Sequence, residues 1–138
     1  MKRFLSLSGV CMAIIIACLL VPYSIHAQQA GDVSVASAVI CKGIADRQAV
    51  EPGNSFPVSA GKLYCYNKIT NIGTATEVVH AWYYGDTQRA QVRLNVNPPS
   101  WRTYSSKIIQ PHEIGAWRVD ILDATGNRLE TVQFEITP

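Results

Sequence analysis

Gly115-Ala116-Trp117-Arg118-Val119-Asp120-Ile121-Leu122-Asp123 is the stretch on which the fold turns. Trp117, Val119 and Ile121 alternate with Arg118 and Asp120, and a period of two is what a strand with one buried and one wet face produces. The last segment repeats the pattern with Val132, Phe134 and Ile136. Gly115 suits a tight turn or a close backbone approach before the tryptophan. Working backward, Val33 to Cys41, Leu63 to Thr70, Val78 to Tyr84, Ala90 to Val96 and Trp101 to Ile109 read as further strands. With Ala116 to Asp123 and Leu129 to Thr137 they make about seven. Turn formers separate them, such as Gly85-Asp86, Asn97-Pro98-Pro99-Ser100, Gln110-Pro111-His112-Glu113 and Thr125-Gly126-Asn127. No segment of helical length carries a periodic apolar face. The spacing predicts an all-β chain, a single antiparallel immunoglobulin-like β-sandwich of about seven strands. An outer-membrane barrel needs an even strand number of at least about 8 and tall apolar outward faces, which short strands and a charged last strand do not supply.

Lys2 and Arg3 precede an apolar run from Val10 to Val21, which ends at Pro22 and the more polar Tyr23 to Gln28. A charged start, an apolar centre and a small residue at Ala27 are the three parts of an export signal. The expected division is a signal peptide over residues 1–27 and one domain over residues 28–138. A spanning helix would need about 20 consecutive apolar residues, and Pro22 interrupts the run first. Ile15-Ile16-Ala17-Cys18 offers a second route, lipid attachment at Cys18, although the greasy Leu19-Leu20-Val21 that follows is unusual for a mature lipoprotein. The chain is therefore expected to be exported, periplasmic or secreted, with no transmembrane segment after cleavage.

Removing the signal also removes Lys2 and Arg3, the whole of the formal +2 charge, and leaves ten basic against ten acidic side chains. A near-neutral domain lacks the basic stripe of a nucleic-acid binder, so no nucleic-acid partner is expected. Of four cysteines, only Cys41 and Cys65 remain. Both fall on apolar faces, and one pair in an exported domain reads as one disulfide, contributing roughly 3 kcal/mol by chain entropy. Cys-x-x-Cys spacing, which a redox or metal pair would show, is absent.

Ala38-Val39-Ile40-Cys41 with Asp46-Arg47, Phe56, Gly61-Lys62-Leu63-Tyr64-Cys65, His80-x-Trp82-x-Tyr84, Trp101-Arg102-x-x-Ser105-Ser106-Lys107 and Gly115-x-Trp117 form one set. Together they resemble the bacterial family catalogued as domain of unknown function 2914, over essentially all of residues 28–138. The Trp-Arg-x-x-Ser-Ser-Lys element is the most specific part. The resemblance implies a β-sandwich outside the cytoplasm and brings no catalytic residues with it. At Arg47-Gln48-Ala49-Val50 the chain departs from the Arg-Glu-Pro-Val-like wording of that family, which counts against this turn as a ligand contact.

Two clusters are candidates for function. Alternation puts His80, Trp82 and Tyr84 on one face of their strand and Val79, Ala81 and Tyr83 on the other. If the second set is inward, the first is an exposed aromatic strip. If it is outward, Trp82 is a core tryptophan and His80 a satisfied buried histidine. In the next cassette Trp101, Thr103, Ser105 and Lys107 share one face. Trp101 and Lys107 would line a groove for an anionic or sugar ligand, or else Trp101 folds over the sheet edge while Arg102 pairs with Glu77 or Asp120. The candidate binding residues are thus His80, Trp82, Tyr84, Trp101, Arg102, Ser105 and Lys107. No Gly-x-Ser-x-Gly elbow, His-Glu-x-x-His pair or phosphate loop occurs, so no catalytic residue, metal site or cofactor is assigned. The expected function is a non-catalytic module that binds a protein partner or an envelope glycan, with a ligand-free structural protein as the alternative and a hydrolase as a distant third.

Overall fold

The computed structural model describes residues 32–138. The signal expected over residues 1–27, its cleavage after Ala27 and the alternative lipid site at Cys18 lie outside the described residues. The strands are β1 (Ser34–Ala45), β2 (Gln48–Gly53), β3 (Ser55–Pro57), β4 (Lys62–Thr70), β5 (Thr76–Tyr84), β6 (Thr87–Val96), β7 (Trp101–Ile108), β8 (Gly115–Asp123) and β9 (Arg128–Thr137). A single 3-10 turn, Val58–Ala60, is the only helical piece among the described residues. All seven expected strands are present. β2 and β3 are additional, and they fall where Pro52, Gly53 and Pro57 had read as irregular chain. Proline is tolerated there because both strands are sheet edges, where an absent N–H breaks no ladder.

Two sheets form, one in the order β2-β1-β4-β7 and the other β3-β9-β8-β5-β6. With β1, β4 and β7 as A, B and E, and β5, β6, β8 and β9 as C, C′, F and G, the division is immunoglobulin-like. Every pairing is antiparallel except β3 with β9, which run parallel through Phe56↔Ile136. The ladders continue as alternation had placed them, with Trp117, Val119, Ile121, Phe134 and Ile136 buried. Phe134 is the hub of the core. Its ring stacks on Trp117 at 6.0 Å and meets Trp82 and Phe56 edge-on at 6.1 and 6.4 Å. Ile40, Leu63 and Cys65 close the same cluster from the four-stranded sheet. Each such side chain stabilises by about 1.5–3 kcal/mol when fully buried.

β1 and β2 are joined by a two-residue turn, Asp46-Arg47, flanked by the pair Ala45↔Gln48. Both central residues have positive φ, 50° and 60°. This is the type I′ geometry that matches the twist of a hairpin, and glycine or asparagine ordinarily takes the second position. A side chain as large as arginine held there costs about 1–2 kcal/mol.

The disulfide expectation fails in this structure, where Cys41 and Cys65 are both buried free thiols. The register explains why. Cys65 lies opposite Ile40, and Cys41 lies one position on, opposite Tyr64. Residues directly across a ladder share a face and neighbours along a strand do not, so Cys65 joins Ile40 in the core while Cys41 is directed to the other side of the same sheet. The Cys41 Sγ instead donates to the Gly43 carbonyl at 3.2 Å. Burial pushes the Cys65 thiol up to about 12 and raises Cys41 as well, which leaves both unreactive. A reductant should leave the melting temperature of the protein unchanged, as scanning calorimetry would show; a fall of several degrees would mean that a bridge forms after all.

Candidate functional site

Strand β5 settles which of its faces is inward. Val78, His80 and Trp82 are buried between the sheets, and the aromatic strip read from alternation is interior. His80 makes two hydrogen bonds to the opposite sheet. Asn67 Nδ2 on β4 donates to its Nε2 at 2.8 Å, which places the ring proton on Nδ1, directed at Ser105 Oγ of β7 at 2.6 Å. Trp82 Nε1 donates to the same Ser105 oxygen at 3.0 Å. Both lone pairs of the hydroxyl are thereby used. Serine, histidine and asparagine are residue types of nucleophilic sites, but here the serine sits on Nδ1, where a working triad has it on Nε2, and all three are buried. The cluster is a bridge between sheets. It removes His80, Trp82 and Ser105 from any surface contact.

Tyr84 is half-buried. Its hydroxyl donates to the Ile114 carbonyl at 2.6 Å and its ring lies against Trp117 at 5.1 Å, so it ties down the β7–β8 loop. The loop is held a second time by Glu113, fully buried, whose Oε1 accepts from Gln110 N–H at 2.8 Å and whose Oε2 lies 2.8 Å from Arg89. Lys107 stands opposite Leu63 and donates to the neighbouring Ile108 carbonyl at 2.7 Å. The expected partners of Arg102 are engaged elsewhere: Glu77 pairs with Arg93 at 3.3 Å, and Asp120 with Arg118 at 3.5 Å and Thr131 at 2.9 Å.

Trp101 and Arg102 do line a groove, with different neighbours from those expected. It has a volume of about 550 Å³, within the range of clefts that take small ligands, and opens on the outer face of the four-stranded sheet. Tyr66 and Lys68 of β4 and Arg102 and Tyr104 of β7 form its floor, because the register pairs Tyr66 with Tyr104 and Lys68 with Arg102. The β1–β2 hairpin supplies a wall. Tyr66 Oη donates to the Arg47 carbonyl at 2.7 Å, which holds the turn against the sheet and brings Arg47 and Ile44 to the rim. Trp101 and Tyr104 remain 41% and 49% exposed. Among the described residues no carboxylate lines the groove, and Arg47, Lys68 and Arg102 make no ion pair. Ile44, Arg47, Tyr66, Lys68 and Tyr104 were missed from sequence. Alternation in β4 does place Tyr64, Tyr66 and Lys68 on one face, but only the register shows what stands beside them.

Residues 75–136 match the model of a family described as "protein of unknown function (DUF2914)". Over that stretch the chain is similar to the DUF2914 family. The match runs from the start of β5 nearly to the end of β9, narrower than the resemblance that the motifs had suggested. No curated protein matches the chain. The DUF2914 stretch carries Trp101, Arg102 and Tyr104, whereas Arg47, Tyr66 and Lys68 come from strands that precede it. The groove is thus assembled across the boundary of the family match.

The interior bridge makes stability depend on pH. Burial pushes the His80 imidazole down to about 4 from an ordinary 6.5. Between those values the unfolded chain binds a proton that the folded one refuses, so stability falls as pH drops from 6.5 toward 4, by up to roughly 3 kcal/mol. Chemical denaturation across that range should show the loss, and His80→Gln, less stable at neutral pH, should flatten it. A variant that keeps the full slope would assign the effect to other groups.

Proposed function

We propose that the protein is an exported, non-catalytic module that binds an envelope glycan in the groove on its four-stranded sheet. The observation that carries this reading is the pairing of exposed Trp101 and Tyr104 with cations that have no ion-pair partner among the described residues, in one concave cleft. Large rings left in water beside a cleft suit the flat apolar faces of sugar rings, and hydrogen-bonding cations around them supply orientation. Export rests on Lys2, Arg3, the apolar run from Val10 to Val21 and Ala27. The non-catalytic part rests on the cluster most like a reactive site, Asn67, His80 and Ser105, being sealed in the core and hydrogen-bonded across the two sheets.

A glycan array probed with the purified protein tests the reading. Binding to a defined saccharide is expected, with a loss of about tenfold or more in affinity for Trp101→Ala, equivalent to the roughly 1.4 kcal/mol of one good ring contact. Because Trp101 is an exposed residue at the start of an edge strand, that variant should unfold at the temperature of the parent. Binding that survives the substitution, or an array with no hits from folded protein, would overturn the proposal.

A further inference from the structure

The groove contains three local features that stability alone would not favour. Lys68 and Arg102 stand directly opposite on adjacent strands, a like-charge pairing that weakens a sheet. Neither has a carboxylate partner among the described residues to offset the repulsion. Arg47 occupies the second position of a type I′ turn at φ 60°, where glycine would sit without strain. The Tyr66 hydroxyl then pins that turn so that the third cation joins the other two. Facing cations and a left-handed arginine at one place are a departure from local consistency of the kind that marks a site kept for its ligand.

Resting on the glycan reading above, we infer that the ligand is an acidic saccharide, whose carboxylates or phosphates are held by Arg47, Lys68 and Arg102 while Trp101 and Tyr104 take the ring faces. The ligand supplies the counter-charge that the described residues do not bring to the cleft. A single-stranded nucleic acid shares this chemistry, but it tracks along an extended basic surface, and residues 28–138 are balanced between acidic and basic side chains. The cleft formed by Asp32, Glu77 and Asp123 with neighbouring threonines is acidic and would repel a long polyanion. A short acidic oligosaccharide needs only the groove.

Isothermal titration with a galacturonate hexamer, its methyl ester, inorganic phosphate and oligo-dT tests the inference. The charged hexamer is expected to bind at least about tenfold more tightly than the ester, with an affinity that falls as ionic strength rises. Arg47→Gly should weaken that binding about fivefold or more while unfolding at the same or a higher temperature, because it relieves the turn. Lys68→Gln should behave likewise. Equal binding of hexamer and ester, both lost in Trp101→Ala, would overturn the charge assignment and leave the glycan reading standing. No binding of either would remove both. Tighter binding of oligo-dT, or of phosphate without saccharide, would overturn the inference in favour of that ligand. An Arg47→Gly variant that loses stability and keeps its affinity would make the arginine a structural residue.

Discussion

The two sheets are locked together by a polar bridge within a largely apolar interior. Hydrophobic contacts between facing sheets are tolerant of small slides, because they depend on area more than on direction. The hydrogen bonds that link Asn67 and Ser105 on one sheet with His80 and Trp82 on the other are directional and short, and they fix where β4 and β7 lie over β5. A slip of one residue would leave four buried polar groups without partners, each costing about 1–3 kcal/mol. The Asn67 Oδ1 already lacks a partner, so the bridge carries one unsatisfied acceptor even in register. The position of the outer-face groove follows from the same bridge, since Ser105 and Asn67 point inward on the strands whose next residues, Tyr104 and Lys68, point outward.

That arrangement makes β4 and β7 two-sided elements. Their inner faces, with Leu63, Cys65 and Ser105, belong to the core, while their outer faces carry Tyr66, Lys68, Arg102 and Tyr104. The aromatic residues on the outside are not idle. The Tyr64 and Tyr104 rings meet edge-on at 5.9 Å, and the Lys62 ammonium lies 5.3 Å over the Tyr64 ring, so the floor of the groove continues into a packed surface layer. On the other sheet Arg118 lies over the Tyr83 ring at 4.1 Å and also pairs with Asp120, which shows how this protein treats a cation that it does engage.

Much of the fold was legible because period-two alternation is a direct trace of a half-buried strand. Trp117, Val119, Ile121, Phe134 and Ile136 were assigned to the core on that ground, and the core holds them. β2 and β3 were not legible, because Pro52, Gly53 and Pro57 carry no strand signal, and β3 pairs only with a parallel partner 80 residues away, Ser55 with Glu135. The site was half legible. Trp101 and Arg102 could be named as residues in need of a role, yet alternation alone does not say which face of β5 is inward, and it gave no warning that Ser105 and Lys107 leave the groove. The cysteine pair shows the same limit. Two thiols on apolar faces look joinable until the register puts them on opposite sides of one sheet.

The parallel pairing of β3 with β9 has a kinetic meaning. The Thr137 hydroxyl donates to the Phe56 carbonyl across 81 positions of chain, and β3 has no partner in the five-stranded sheet until β9 arrives. Contacts of such long range are slow to form, because the loop that they close must be ordered first. An emerging chain therefore keeps its sandwich unfinished until β9 has been made. Until β9 pairs, the core that Phe134 and Ile136 complete stays open to water, so early strands depend on a late one for their cover.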